Sequence, residues 1–206
     1  MAEEIKTVNY SDDNIITLDG LTHIRRRAGM YIGKLGDGNS SDDGIYVLIK
    51  EVIDNSIDEF RMNEGNKIEI TIKDRTVSIR DYGRGIPQGK MIDAVSKLNT
   101  GGKYDSNAFQ RSIGLNGVGI KAVNALSSSF IVKSYRDGIL KQADFVRGKL
   151  VKEYPQTPTE EKNGTYIQFT PDTEKQHPQE TLCDPNCEFN DEIIETMLRN
   201  YSYLNT

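Results

Sequence analysis

The segment IYVLIKEVIDNSIDEF, from Ile45 to Phe60, constrains the fold more than any other. At 100° per residue Ile45, Ile49, Val52, Ile53, Ile57 and Phe60 fall on one side of a helix, and Glu51, Asn55, Asp58 and Glu59 on the other. Directly after it, KIEITIK and TVSIRD alternate around Asp74 and Arg75, which predicts a hairpin with one buried face. FIVKSY and ILKQADF flank Arg136, Asp137 and Gly138 in the same way, and KLVKEY and GTYIQF read as further strands. Short helical stretches are expected over 91–98 and 120–126, and a closing helix over 190–204. Helices interleaved with hairpin-joined strands predict an α/β (α+β) two-layer sandwich. Its sheet is expected to be mixed and largely antiparallel, of about eight strands, with helices on one face.

At 206 residues the chain has room for one domain with an appended arm. Residues 1–17 are polar and aperiodic and read as that arm, and 18–206 as the domain. No apolar run approaches the roughly 20 residues needed to cross a bilayer, so no membrane partner is expected. The start MAEEIKTVNYSDD has neither the basic nor the apolar part of a secretory signal, which makes a cytoplasmic setting the default. With 26 basic against 31 acidic residues the net charge is -5, a field that repels polyanions. A nucleic-acid role would need a local patch or a part of the protein outside this sequence. The run Arg25 to Arg27 reads as scaffold or rim rather than as that patch. Cys183 and Cys187, with His177 nearby, fall short of the four ligands of a structural zinc site and are expected to be reduced surface thiols.

Eighteen glycines raise the question of phosphate binding. There is no G-x4-G-K-[ST], which excludes the P-loop class. Gly117 to Ala122 matches G-x-G-x-x-A by letter, but a glycine-rich loop precedes it where a dinucleotide fingerprint needs a strand. Three elements remain in order. Glu51 and Asn55 stand at i and i+4 on one helix face. Asp81 is followed by Gly83, Gly85 and Pro87. Gly101, Gly102 and Lys103 are followed by Gly114, Gly117 and Gly119.

In this order and spacing the segments HIRRRAGMYIG, KEVIDNSIDE, RDYGRGIP, TGGKYD and GLNGVGIKAVNALS make the chain similar to a known family. It resembles the ATP-binding region of the B subunit of bacterial type IIA DNA topoisomerases, gyrase and topoisomerase IV, in the GHKL ATPase superfamily. The likeness runs from about Tyr10 to Leu204. The form Gly-Leu-Asn-Gly-Val-Gly and the longer loop before the glutamate helix incline it to topoisomerase IV, with gyrase second. The resemblance implies ATP and Mg2+ as ligands. Glu51 would be the general base that deprotonates the attacking water, and Asn55 the magnesium ligand. Asp81 would accept a hydrogen bond from the adenine amino group, with Thr165 joining through a water.

Gly83 and Gly85 would let the backbone approach the base, and Ile79, Ile86, Pro87 and Ile120 would form apolar walls. Gly114, Leu115, Asn116, Gly117, Val118 and Gly119 would offer N–H groups to the phosphates, with Gly101, Gly102 and the cation of Lys103 beside them. Asp58 and Glu59 complete the helix side of the pocket, and Arg84 and Arg136 would stand at its rim, Arg84 within reach of Glu59.

Tyr10 and Ile15 match an arm that embraces a second copy of the protein when ATP is bound. The A subunit and duplex DNA would engage regions beyond this sequence, and coumarin-type inhibitors would act at the ATP pocket. Two departures stand out: Ala28 replaces the family's usual proline, and Phe109 replaces an adenine-contacting tyrosine, whose contact is not carried over. Because the transducer and cleavage domains of the family lie beyond Thr206, this region alone is expected to turn ATP over weakly or not at all. The alternatives are a nucleotide-sensing module without catalysis, or another ATPase of the superfamily: mismatch repair, chaperone or histidine kinase.

Overall fold

The computed structural model describes residues 15–101, 117–180 and 182–204. Helices α1 (Gly20–Arg26) and α2 (Gly29–Ile32) lead into the long α3 (Gly44–Arg61), followed by the hairpin of β1 (Ile68–Lys73) and β2 (Thr76–Asp81). After a single 3-10 turn come α4 (Met91–Ser96) and α5 (Gly119–Ala125). Then follow β3 (Ser127–Arg136), β4 (Ile139–Val146), β5 (Lys149–Glu153), β6 (Thr157–Pro158), β7 (Gly164–Pro171) and α6 (Asp191–Leu204).

The strands form one seven-stranded sheet in the order β1-β2-β7-β3-β4-β5, with the short β6 beside β4. Every strand pair among the described residues is antiparallel. The expected parallel component is absent from the ladder because β7 inserts between β2 and β3, which run in the same direction without touching. Seven strands thus stand where about eight were expected. Asp137 and Gly138, at φ 54° and 76°, give the β3–β4 hairpin the two left-handed residues that match strand twist.

Period-2 alternation puts Val77, Ile79, Phe130, Val132, Ala143, Phe145, Ile167 and Phe169 on one buried face. Ile79, Ile167, Val132 and Ala143 lie in one row across four strands. Ile45, Leu48, Ile49, Val52, Ile53 and Ile57 of α3, with Ala122, Val123 and Ala125 of α5, close the core over them. Each large apolar side chain buried there contributes about 1.5–3 kcal/mol. The helices sit on one face of the sheet, as the periodicity predicts.

The sequence did not announce α1 and α2. Asp19 starts α1, its Oδ1 accepting from the N–H groups of Leu21 and Thr22 at 3.0 and 3.1 Å. Ala28 is fully buried and opens α2 with φ -52°, a value close to what proline would impose, so its replacement of proline keeps the turn. Arg25 is buried against Asp172 and Glu180, which makes it scaffold.

The cysteines need a correction. Both are buried, because the strand of chain holding them is strapped across the loop before α3. Asp184 and Glu188 donate their N–H groups to the carbonyls of Gly36 and Asp37, at 3.4 and 3.0 Å. A hydrogen bond with the adjoining Cys183 thiol, helped by the charge of Arg75, lowers the Cys187 thiol to about 7. Among the described residues no cluster of His, Cys, Asp or Glu could hold a metal ion, and no helix is long and apolar enough to cross a membrane.

Candidate functional site

The polar side of α3 is not a solvent face. Asp58 is wholly buried, and Glu51, Asn55 and Glu59 are half-buried against the chain segments that follow α3. At the first turn of α5 a Cβ on Gly119 would stand only 1.7 Å from Glu51 Oε2. Glycine is therefore what lets the Glu51 carboxylate lie directly against the backbone of the Gly117–Gly119 turn. Asn55 donates from Nδ2 to the Glu51 carbonyl at 2.8 Å, an i to i-4 bond that fixes the orientation of the amide.

Asp81 ends β2 and faces α3. Its Oδ1 accepts from the N–H groups of Gly83 and Thr165, each at 3.0 Å, while Ser56 Oγ lies 3.5 Å from Oδ2. Burial pushes the Asp81 carboxyl above the usual carboxylate range, and the two N–H bonds pull against that shift. Thr165 thus orients Asp81 through its backbone, in addition to the hydroxyl role expected of it.

Glu59 holds the next loop. Arg84 donates to it from Nε at 3.0 Å, from Nη2 at 2.9 Å and from its backbone N–H at 2.9 Å. A Cβ on Gly83 would meet the Glu59 side chain at 2.8 Å, so glycine is needed there as well. Gly85 has φ 75° and its carbonyl accepts from Arg136 Nη1 at 3.0 Å, which ties the loop to the end of β3. Ile79 lies in the core beneath this loop, with Ile86 and Ile120 packed against the same cluster and Pro87 opening the 3-10 turn.

The structure therefore brings together Glu51, Asn55, Asp58, Glu59, Asp81, Arg84, Gly85, Arg136, Thr165 and the Gly117–Gly119 turn, with Gly101 closing the described stretch before it. Gly102, Lys103, Gly114, Leu115, Asn116, Phe109 and Tyr10 lie outside the described residues, and Ile15 is exposed. Three participants were missed from sequence. Ser56 and Arg80 flank Asp81, and Lys121, buried, donates to the carbonyls of Thr100 and Gly117. The i+4 spacing of Lys121 from Gly117 was the available signal for one of them.

Comparison with known proteins decides the family. The sequence pattern described as "Histidine kinase-, DNA gyrase B-, and HSP90-like ATPase" matches residues 40–175, which contain α3, the Asp81 loop and the Gly117–Gly119 turn. The chain belongs to this ATPase family. Within it, the chain is 59% identical over 170 residues to the B subunit of DNA topoisomerase 4 from Borreliella burgdorferi, covering 82% of this chain and 28% of that protein. It is 35% identical over 212 residues to the Staphylococcus aureus protein of the same name, covering 97% of this chain and 30% of that protein. It thus spans under a third of the length of these relatives. Among solved structures, the 43K ATPase domain of Thermus thermophilus gyrase B, in complex with an aminocoumarin, superposes with TM-score 0.73 at 28% identity, over 92% of this chain and 47% of that one.

Proposed function

We propose that this member of the ATPase family is the ATP-binding and hydrolysing region of a type IIA DNA topoisomerase B subunit, of the topoisomerase IV kind. The observation that carries the reading is the Glu51 carboxylate lying against Gly119, one helical turn from Asn55 and on the same side of the sheet as Asp81.

The residues fit the ligands. Gly83 and Gly119 let the Glu59 and Glu51 side chains lie against main chain where any Cβ would collide with them, which holds both acids close to the loops that follow α3. Asp81 accepts the adenine amino hydrogen, which a guanine carbonyl cannot supply. The N–H groups of the Gly117–Gly119 turn face the phosphates, and the Asn55 oxygen suits Mg2+. When bound, that ion neutralises charge on the phosphate oxygens. Glu51 orients a water in line with the terminal phosphorus and takes its proton as the new O–P bond forms and the bond to the ADP oxygen breaks.

ATP binding is then read as the signal for two B subunits to close, through the arm of residues 1–17 that includes Tyr10 and Ile15. Strand passage would involve the A subunit and duplex DNA through regions beyond this sequence, and the aminocoumarin complex of the gyrase relative supports binding of such inhibitors, which we assign to the ATP pocket.

The test is calorimetric titration of a non-hydrolysable ATP analogue with magnesium into the protein and its Asp81→Asn variant, with the GTP analogue as control. Loss of a hydrogen bond to a charged acceptor costs about 1.5–3 kcal/mol, so affinity should fall roughly 10- to 100-fold. Equal binding of both analogues, unchanged in the variant, would remove the adenine site.

A pH series adds a second result. Burial raises Asp81, Glu59 raises it further, and Arg80 opposes them. The ionised acceptor is therefore lost on acidification at a pH above the ordinary aspartate value of about 3.9. Analogue affinity should weaken as pH falls through that raised value and be constant above it. An acid limb at or below the ordinary value would contradict this account.

A further inference from the structure

Arg80 lies on the face of the sheet away from the helices, yet it is only 8% exposed. Its guanidinium is stacked between two rings, with Cζ 4.6 Å from the centroid of Tyr82 and 4.3 Å from that of Tyr135. The edge of the same group is occupied by backbone: Nη1 donates to the Asp81 carbonyl, and Nη2 to the Lys162 carbonyl at 2.6 Å. Gly164 makes the fit possible. At φ 140° it has no side chain where a Cβ would stand 2.1 Å from the Asp81 carbonyl oxygen and 2.2 Å from Arg80 Nη1.

The place of this clasp in the ladder gives it a consequence. The β2–β7 register ends at the pair Arg80 and Tyr166, so on its β7 side Asp81 lies one residue past the last paired position. Two links hold Asp81 to β7 and the turn before it beyond that point. On the helix side Thr165 donates its N–H to Asp81 Oδ1, and on the open side Arg80 ties Asp81 to Lys162. The planar fork of arginine holds its two donors in a fixed geometry while its flat face stacks on both rings, a combination that the compact ammonium of lysine does not reproduce.

We propose that Arg80 is a positioning residue for purine selection: by clasping Asp81 to the turn before β7 from the open face, it keeps the Asp81 carboxylate aimed at the exocyclic group of the base. The inference rests on the reading of Asp81 as the adenine acceptor. Arg80 touches no ligand and acts through the main chain of Asp81.

Purine selectivity separates this role from general support of the fold. A loosened domain weakens all triphosphates alike, whereas a misaimed Asp81 weakens only the base that donates to it. Affinities of the non-hydrolysable ATP analogue and its inosine counterpart, which carries an oxygen in place of the amino group, are measured by titration for wild type, Arg80→Met and Arg80→Lys. Folding of each is checked by circular dichroism. In Arg80→Met the preference for adenine over hypoxanthine is expected to fall at least about fivefold, with inosine-analogue affinity within about twofold of wild type; Arg80→Lys should lie between.

A folded Arg80→Met that keeps the wild-type ratio overturns the proposal while leaving the adenine site intact. A wild-type protein with no adenine preference removes the adenine reading itself, and this inference with it. Should Arg80→Met not fold, Arg80→Lys decides: a reduced ratio supports the clasp and an unchanged one overturns it.

Discussion

Glu51→Gln should reduce ATP turnover by about 10²- to 10⁴-fold while leaving nucleotide affinity within about twofold, the range by which a positioned general base contributes. Glutamine keeps the length and shape of the side chain, so the close packing of its end group against Gly119 survives, and with it the alignment of α3 and α5. What is lost is the ability to take a proton from water. The Asn55 amide is fixed on the carbonyl of residue 51, which the substitution does not touch, so the residue proposed to hold magnesium stays in place. Steady-state phosphate release on the protein extended to the length of its relatives, with analogue titration beside it, separates the two quantities. Turnover above about one tenth of wild type would remove Glu51 from the role of base. A parallel loss of affinity would mean that the carboxylate serves the ligand's ground state rather than the reacting water.

How far these roles can be read from sequence depends on the range of the interactions involved. Helix α3 and the hairpins β1–β2 and β3–β4 were legible because their signal is local: a one-sided helical stripe, or alternation around a tight turn. The proposed roles of Glu51, Asn55 and Asp81 come from the resemblance of their segments to a known family, since each residue alone carries only a weak local pattern. Helices α1 and α2, of 7 and 4 residues, are too short for periodicity to register; Asp19 caps the start of α1, and α2 has no side-chain cap. The burial of Cys183 and Cys187 depends on backbone bonds to Gly36 and Asp37, about 150 residues earlier, which no window of sequence contains. Arg80 was invisible for a related reason. Two of its partners are backbone carbonyls, which carry no residue identity, and the second ring of its stack comes from β3.

The same limit of range applies to Arg25, whose replacement by methionine is expected to have the largest effect on stability, about 3–5 kcal/mol. In the folded protein its Nε and Nη2 meet the two oxygens of Glu180, each at 2.9 Å, Nη2 also meets Asp172 at 2.9 Å, and Nη1 meets the Ala125 carbonyl at 2.9 Å. The side chains of Arg25, Asp172 and Glu180 are 6%, 1% and 8% exposed. Methionine fills the space and leaves the acids without their cation. Asp172 retains Arg147 at 2.7 Å, so the uncompensated group is Glu180. Arg25 holds the Glu180 carboxyl below the usual range. A depressed carboxylate contributes stability above its unfolded value of about 4.3 and loses it as pH falls through the folded value. Chemical denaturation should therefore show a full deficit for Arg25→Met near neutral pH that narrows as pH falls below the unfolded glutamate value of about 4.3 and through the lowered wild-type value, beyond which Glu180 is protonated in both proteins. A deficit independent of pH would assign the loss to packing of the arginine stem. Because Arg25 bonds to α5 at the Ala125 carbonyl, the end of the helix away from Gly119, the full-deficit variant should lose turnover in proportion to its unfolded fraction and no further.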